Sequence, residues 1–145
     1  MSRKFIILVV LLALGCSFVE GCLASTQPTN ETTTPLITIG VDDFTADPAA
    51  YDGIIGIRGI VSFVYPPDST FVIIDVKEYE LCGVVTCAIN EIAISVPRDQ
   101  YSGELPNVED TVVVYSGITS GENVYLLEVS EVKRGKETIL KRVPG

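Results

Sequence analysis

The stretch that decides the fold runs from Ile54 to Tyr65, Ile-Ile-Gly-Ile-Arg-Gly-Ile-Val-Ser-Phe-Val-Tyr. Branched and aromatic side chains fill it, which suits a pleated, half-buried strand. Gly56 and Gly59 interrupt the run, and glycine inside a strand pattern marks a bulge or a sharp coil. A strand that must both pair and bend belongs to a sheet that curls. Asp52-Gly53 turns the chain into this run, and Pro66-Pro67-Asp68-Ser69 forms a hairpin loop after it.

On the N-terminal side, Asp47-Pro48 has the form of a helix cap followed by proline at the first helical position. A short broken helix is therefore expected over Val41 to Tyr51, with Phe44 and Tyr51 facing a core. Asp42, Asp43 and Asp47 lack the spacing of a calcium loop and suit a helix start, where the dipole favours acids. On the C-terminal side, Thr70 to Lys77 is the next predicted strand, apolar on both faces. Glu78 to Ala88 is expected to be a loop holding Cys82 and Cys87. Ile89 to Val96 alternates, with Ile92, Ile94 and Val96 pointing one way. A polar connection, Pro97 to Asp110, leads to a strand at Thr111 to Tyr115. Gly117 to Gly121 then turns into a fifth strand, Asn123 to Val132.

These elements predict an all-β fold with a short helix, built as a small five-stranded Greek-key barrel. Tyr51-Asp52-Gly53, GIRGIV at 56–61, FVIIDV at 71–76, IAISVP at 92–97 and Gly103-Glu104-Leu105-Pro106 before DTVVVYSG at 110–117 resemble the OB-fold. They are similar to exported and archaeal OB modules related to anticodon-binding and single-strand-binding domains. The resemblance covers 37–132 and lies in pattern rather than in a catalytic motif. It implies a ligand surface on the first two strands. Phe63, Tyr65, Phe71, Lys77 and Tyr79 are the candidate binding residues there, against a competing expectation that Phe63 and Phe71 are core and the tyrosines rim. The exported haem chaperone of cytochrome c maturation is another OB barrel, but that family attaches haem through a histidine. This chain has none.

Residues 1–22 have the layout of an export leader. Ser2-Arg3-Lys4 precedes the apolar run Phe5 to Leu14, and Gly15-Cys16 and Gly21-Cys22 follow. A cysteine after a small residue at this point resembles a lipoprotein signal. Cys16, behind Ala13-Leu14-Gly15, is the preferred lipid site and Cys22 the alternative. The run from Phe5 to Val19 covers fifteen residues, short of the roughly 20 a spanning helix needs. An uncleaved anchor and a plain secretory signal remain alternatives. Residues 23–36 read as a disordered polar tether, too poor in apolar side chains to offset its ordering entropy. Asn30-Glu31-Thr32 within it is an N-glycosylation acceptor pattern. Such Thr/Pro spacers behind a lipoprotein signal resemble surface lipoproteins of methanogenic archaea. The expected location is extracytoplasmic, on the outer face of the membrane.

Charge narrows the function further. Leu36 to Val132 carries sixteen acidic and three basic residues, while 133–145, read as a basic C-terminal tail, carries five basic residues and Glu137. An acidic domain repels phosphate backbones, so nucleic acid is disfavoured as a partner. A protein, a glycan or a small ligand is favoured. The tail is expected to pair across the acidic domain, to meet anionic lipid, or to be a loose end. The chain contains no His and no Trp, which removes the commonest general base and transition-metal ligand. No enzyme activity, metal or cofactor is expected. Cys82 and Cys87, exported together, are expected to form a structural disulfide. Redox or metal use is the alternative, although Cys-x4-Cys is not the Cys-x-x-Cys of thiol oxidoreductases. The favoured function is a membrane-anchored, non-enzymatic OB-fold binding module. Single-stranded nucleic-acid binding through the basic tail is the alternative from another class.

Overall fold

The long glycine-interrupted strand forms as expected and becomes the hub of the sheet. In the computed structural model, which describes residues 36–120 and 125–145, it is β2 (Ile54–Tyr65). Along one side it pairs antiparallel with β6 (Thr111–Ser120). Along the other it pairs first in parallel with β1 (Thr38–Gly40) and then antiparallel with β3 (Thr70–Ile74). Gly59 is the position that allows this change of partner. A Cβ there would sit 2.8 Å from the Ile74 carbonyl oxygen and 3.2 Å from the Val41 side chain.

The remaining strands are β4 (Glu91–Ser95), β5 (Tyr101–Gly103), β7 (Tyr125–Arg134) and β8 (Glu137–Arg142). The sheet is mostly antiparallel, in the order β4-β3-β2-β6-β7-β8-β5, with β1 beside β2. All-β with short helices is thus correct. The closed five-stranded barrel is not what the hydrogen bonding gives: among the described residues the sheet is open and has eight strands. The extra ones are short or late. Three residues of β1 precede the helix, three of β5 lie inside the predicted polar connection, and β8 is part of the predicted basic tail. β6 also continues to Ser120, through the predicted turn at Gly117.

Irregular pairing sets which side chains face inward. Between β2 and β3, Val61 opposes Ile73 but Phe63 opposes Val72, so Ser62 is an extra residue. Between β6 and β7, Ser130 is extra in the same way. Each extra serine turns its hydroxyl to the partner strand: Ser62 Oγ donates to the Val72 carbonyl at 3.4 Å and Ser130 Oγ to the Tyr115 carbonyl at 3.0 Å. A bulge shifts the alternation by one residue. That is why Val129 and Val132, three apart, are both buried. It also overturns the expectation that Phe63 is core. The shift turns Val64 inward, half-buried against the core, and leaves Phe63 exposed.

The core itself is mostly aliphatic, with Ile57, Ile73, Ile94, Val112, Val114 and Val132 fully buried together with the aromatic Phe71. α1 (Val41–Ala46) covers it with Val41 and Phe44, and a 3-10 turn at Pro48–Ala50 follows, matching the expected broken helix. The Phe44 and Tyr51 rings are 6.3 Å apart.

Two expectations about the second hairpin need correction. The strand predicted to reach Lys77 ends at Ile74, and the predicted loop begins as a helix, α2 (Val76–Cys82). Asp75 is the reason. Its Oδ1 accepts from the Lys77 N–H at 2.8 Å and caps α2, while Oδ2 accepts from the Asp42 N–H at 3.1 Å in the first turn of α1. One buried carboxylate thus satisfies one otherwise unpaired amide in the first turn of each helix. Asp75-Val76-Lys77-Glu78 is a cap-like spacing before a helix, and Gly83 closes it in the left-handed region at φ 77°.

β8 is held by pairing and by charge. It pairs with β7 and with β5. Arg134 reaches Asp110 at 3.1 Å and Glu137 at 3.3 Å, and Lys133 reaches Glu131 at 2.9 Å. Hydrogen bonds to these carboxylates raise the pKa of both cations. Most of the basic side chains of 133–142 therefore belong to a paired hairpin rather than a loose end.

Gly103 joins β5 to β8 with φ 114°, and a Cβ there would collide with the Ile139 carbonyl. Gly103→Ala is expected to lower stability by about 2 kcal/mol or more, read as a lower thermal midpoint. Tyr101, also on β5, donates its hydroxyl to the Val129 carbonyl at 2.8 Å. Burial raises its pKa above 10.0, with Glu128 adding and Arg142 opposing. A folded pKa above the unfolded one gives stability that is complete below the unfolded value and lost as pH rises through the folded one. Tyr101→Phe is expected to cost about 1 kcal/mol at neutral pH. Denaturant melts should show that difference shrinking once pH passes the ordinary tyrosine value.

Candidate binding face and cleft

The second half of β2 carries the candidate surface. Beyond the Ser62 bulge, Phe63 and Tyr65 stand 56% and 46% exposed on one face, and Val64 points the other way. Cross-strand pairing sets Val72 beside Phe63 and Thr70 beside Tyr65. Ala93 and Ser95 of β4 continue those two rows. The result is a small outer face of two aromatic rings over short neighbours.

The five sequence candidates do not gather at one place. Phe63 and Tyr65 are neighbours on this face. Phe71 is fully buried in the core, so it supports the face from beneath and is not available to a ligand. Lys77 and Tyr79 sit on α2, Lys77 exposed and Tyr79 half-buried. Lys77 borders a separate cleft of about 530 Å³ between β1 and α2, with Arg58, Asp43, Asp75 and Glu80. Cys16, Cys22 and Asn30 lie outside the described residues.

Sequence reasoning missed a second cleft. It measures about 570 Å³ and opens where β2 ends, lined by Val64, Pro66, Arg98, Leu105, Pro106 and Asn107 among others. Arg98 is anchored by donating from Nη2 to the Pro66 carbonyl at 3.4 Å. Its neighbours come from the connection read as merely polar. The available signal was Arg98 itself, one of three cations between Leu36 and Val132. The cleft and the aromatic face share the end of β2, since Val64 lines one while Phe63 and Tyr65 form the other.

Cys82 and Cys87 form a disulfide with their Cα atoms 6.3 Å apart. The bridge joins α2 to the 3-10 turn Val85–Cys87. Both elements pack against β2. Ile60 and Ile74, paired across β2 and β3, are buried yet lie outside the main core cluster. The bridged segment thus accompanies an outer-face pair that a bare sheet would leave in water. The same segment leaves Leu81 and Ile89 90% and 87% exposed. Glu78 Oε2 accepts from the Ile89 N–H at 3.1 Å, and Asn90 Nδ2 donates to Asp42 Oδ1 at 3.1 Å, closing the segment back on α2 and α1.

Among the described residues no three His, Cys, Asp or Glu side chains form a metal-ligating group. No helix among them is long and apolar enough to cross a membrane. Comparison with protein-family models, curated proteins and solved structures finds no match.

Opening the bridge should release the six-residue loop, for which chain-entropy arithmetic gives about 2 kcal/mol. Reduction, or Cys82→Ser with Cys87→Ser, is expected to lower the unfolding free energy by about that amount. It should also raise binding of an apolar dye as Ile60 and Ile74 become accessible. A stability and dye response equal to the oxidised protein would contradict the clamping role.

Proposed function

We propose that this chain is an exported, membrane-anchored, non-enzymatic OB-fold binding module. Its ligand rests at the Tyr65 end of β2, on the aromatic face and in the cleft beside it. The carrying observation is the Ser62 bulge, which brings Phe63 and Tyr65 out of the sheet next to the Arg98 cleft. Exposed aromatics beside a concave, partly apolar site are the usual makings of a recognition surface. The strand order supports the OB reading. The five strands expected from sequence are β2, β3, β4, β6 and β7, and they lie as third, second, first, fourth and fifth. That is the order of a partly open OB barrel parted between its third and fifth strands. The leader pattern supports export and anchoring.

Glycan, small-ligand and protein partners fit this surface better than nucleic acid. Lys133 and Arg134 already hold Glu131, Asp110 and Glu137, leaving fewer cations to neutralise phosphates. Full-length protein should be titrated against glycan and small-ligand panels, with single-stranded oligonucleotides at low salt as a parallel arm. For a ligand so found, Phe63→Ala with Tyr65→Ala is expected to weaken binding by about tenfold or more without moving the thermal midpoint. Undiminished binding by the double variant would remove the proposed face. Salt-sensitive oligonucleotide binding would replace this reading with the nucleic-acid one.

A further inference from the structure

The sheet is open between β4 and β7, and both strands leave backbone unpaired there. Among the described residues β4 bonds to β3 alone, and β8 pairs with β7 only from Glu131 onward. Antiparallel partners exchange N–H and C=O at every second residue. Just past β4 the Val96 N–H donates to the Ser69 carbonyl at 2.9 Å. In that alternation Ile92 and Ile94 bond to β3, while Glu91, Ala93 and Ser95 turn N–H and C=O outward. On β7 the Val129 carbonyl points away from β6 to accept from Tyr101 Oη at 2.8 Å, so Tyr125 and Leu127 turn theirs outward as well. Between the two edges lies an apolar groove of about 250 Å³. Residues 92–95 and 125–127 line it, with Phe44 of α1 and Val129. Neighbouring residues of a strand point to opposite faces, so an unbroken run of lining residues means that the groove follows the strand edges.

Edges that must stay unpaired are kept short, or are guarded by proline, lysine or a bulge. β5, at the opposite end of the sheet, is three residues long. β4 has five, in unbroken register with β3, and carries neither proline nor lysine. The free donors and acceptors of such an edge match an extended backbone. β4 and β7 also run in the same direction, because every neighbouring pair in β4-β3-β2-β6-β7 is antiparallel. A segment antiparallel to one is therefore antiparallel to the other. Charge selects the segment. Glu91 on β4 and Glu128 beside the groove on β7 are exposed, and neither is ion-paired among the described residues. A second copy of the chain would bring the same acids and a formal charge of −9. We propose that this seam takes up an extended segment of a partner protein, rich in lysine or arginine, which adds to the β4 edge as a strand with apolar side chains in the groove. Ala93 and Ser95, small and exposed, leave room on the outer face for its alternate side chains. This is a second site, made of backbone edges, and it stands whether or not the Tyr65 end holds a ligand.

Full-length protein labelled with nitrogen-15 should be titrated with a synthetic peptide in which valine alternates with lysine and threonine. Control peptides carry methyl groups on alternate backbone nitrogens, in either register, or glutamate in place of lysine. The lysine peptide is expected to slow hydrogen exchange of the Ala93 and Ser95 amides by about tenfold or more. The glutamate peptide and at least one methylated peptide should bind about tenfold or more weakly. Ala93→Pro removes an outward N–H, at a kind of position where edge strands accept proline. It should keep the circular dichroism of the sheet and lose the peptide; should it not fold, the methylated peptides on the unaltered protein decide alone. The proposal is overturned by a peptide that does not bind, that binds without slowing Ala93 and Ser95, or that binds equally in its methylated and glutamate forms. Folded Ala93→Pro that keeps full affinity overturns it too. So does slow exchange at both amides before any peptide is added. Slowing that fades on dilution would make the occupant a second copy, and slowing that persists would make it another part of this chain.

Discussion

β2 must satisfy three partners at once, and that demand shapes the rest of the molecule. Its first half is hydrogen-bonded on both sides, by β1 and β6, while its second half holds β3. A side chain at Gly59 would meet the Ile74 carbonyl and Val41, so the crossing depends on the absence of one. Past it, Ser62 takes up an extra place and reverses the sense of inward and outward. The same strand therefore contributes Ile55, Ile57 and Val61 to the core at one end and shows Phe63 and Tyr65 to solvent at the other.

Two further devices keep the surface around β2 in order. Asp75 is a buried carboxylate that ends β3 and fixes the starts of α1 and α2 through backbone amides. Each of its two side-chain oxygens accepts one backbone N–H, so a single residue joins the starts of two helices distant in the chain. The disulfide then holds the segment after α2 against β2, where Ile60 and Ile74 are buried outside the main core. Function can be carried on such a face only if it keeps its shape. A short covalent loop limits the alternatives open to an exposed segment.

The acidic composition and the basic end turn out to be one arrangement. Read as charge along the chain, 133–145 looked like an appendage to a negative domain. In the fold, Lys133 and Arg134 are the last residues of β7, and the turn to β8 brings Glu137 back to Arg134. The individual ion pairs are exposed and each contributes little. Strand pairing with β7 and β5, together with burial of Leu140, supplies the attachment.

The sequence by itself determined the elements whose evidence is local. Alternation at Ile92, Ile94 and Val96 marked β4, the two glycines marked the coiled strand, Phe44 and Tyr51 marked the helix face, and two nearby cysteines marked the bridge. Asp75-x-x-Glu78 also carried the signal for α2, which the apolar run before it masked. What only the tertiary structure decided depends on pairing between distant residues. No periodicity announces the bulge at Ser62, because an extra residue exists only relative to the partner strand, and that one residue moved Phe63 from core to surface. The short strands β1 and β5 carry too few residues for a pattern of their own and exist because β2 and β8 offer them hydrogen bonds. The Arg98 cleft is likewise assembled from segments far apart in the chain. Spacing along a chain records the period of one strand, whereas a surface is made by the register among several.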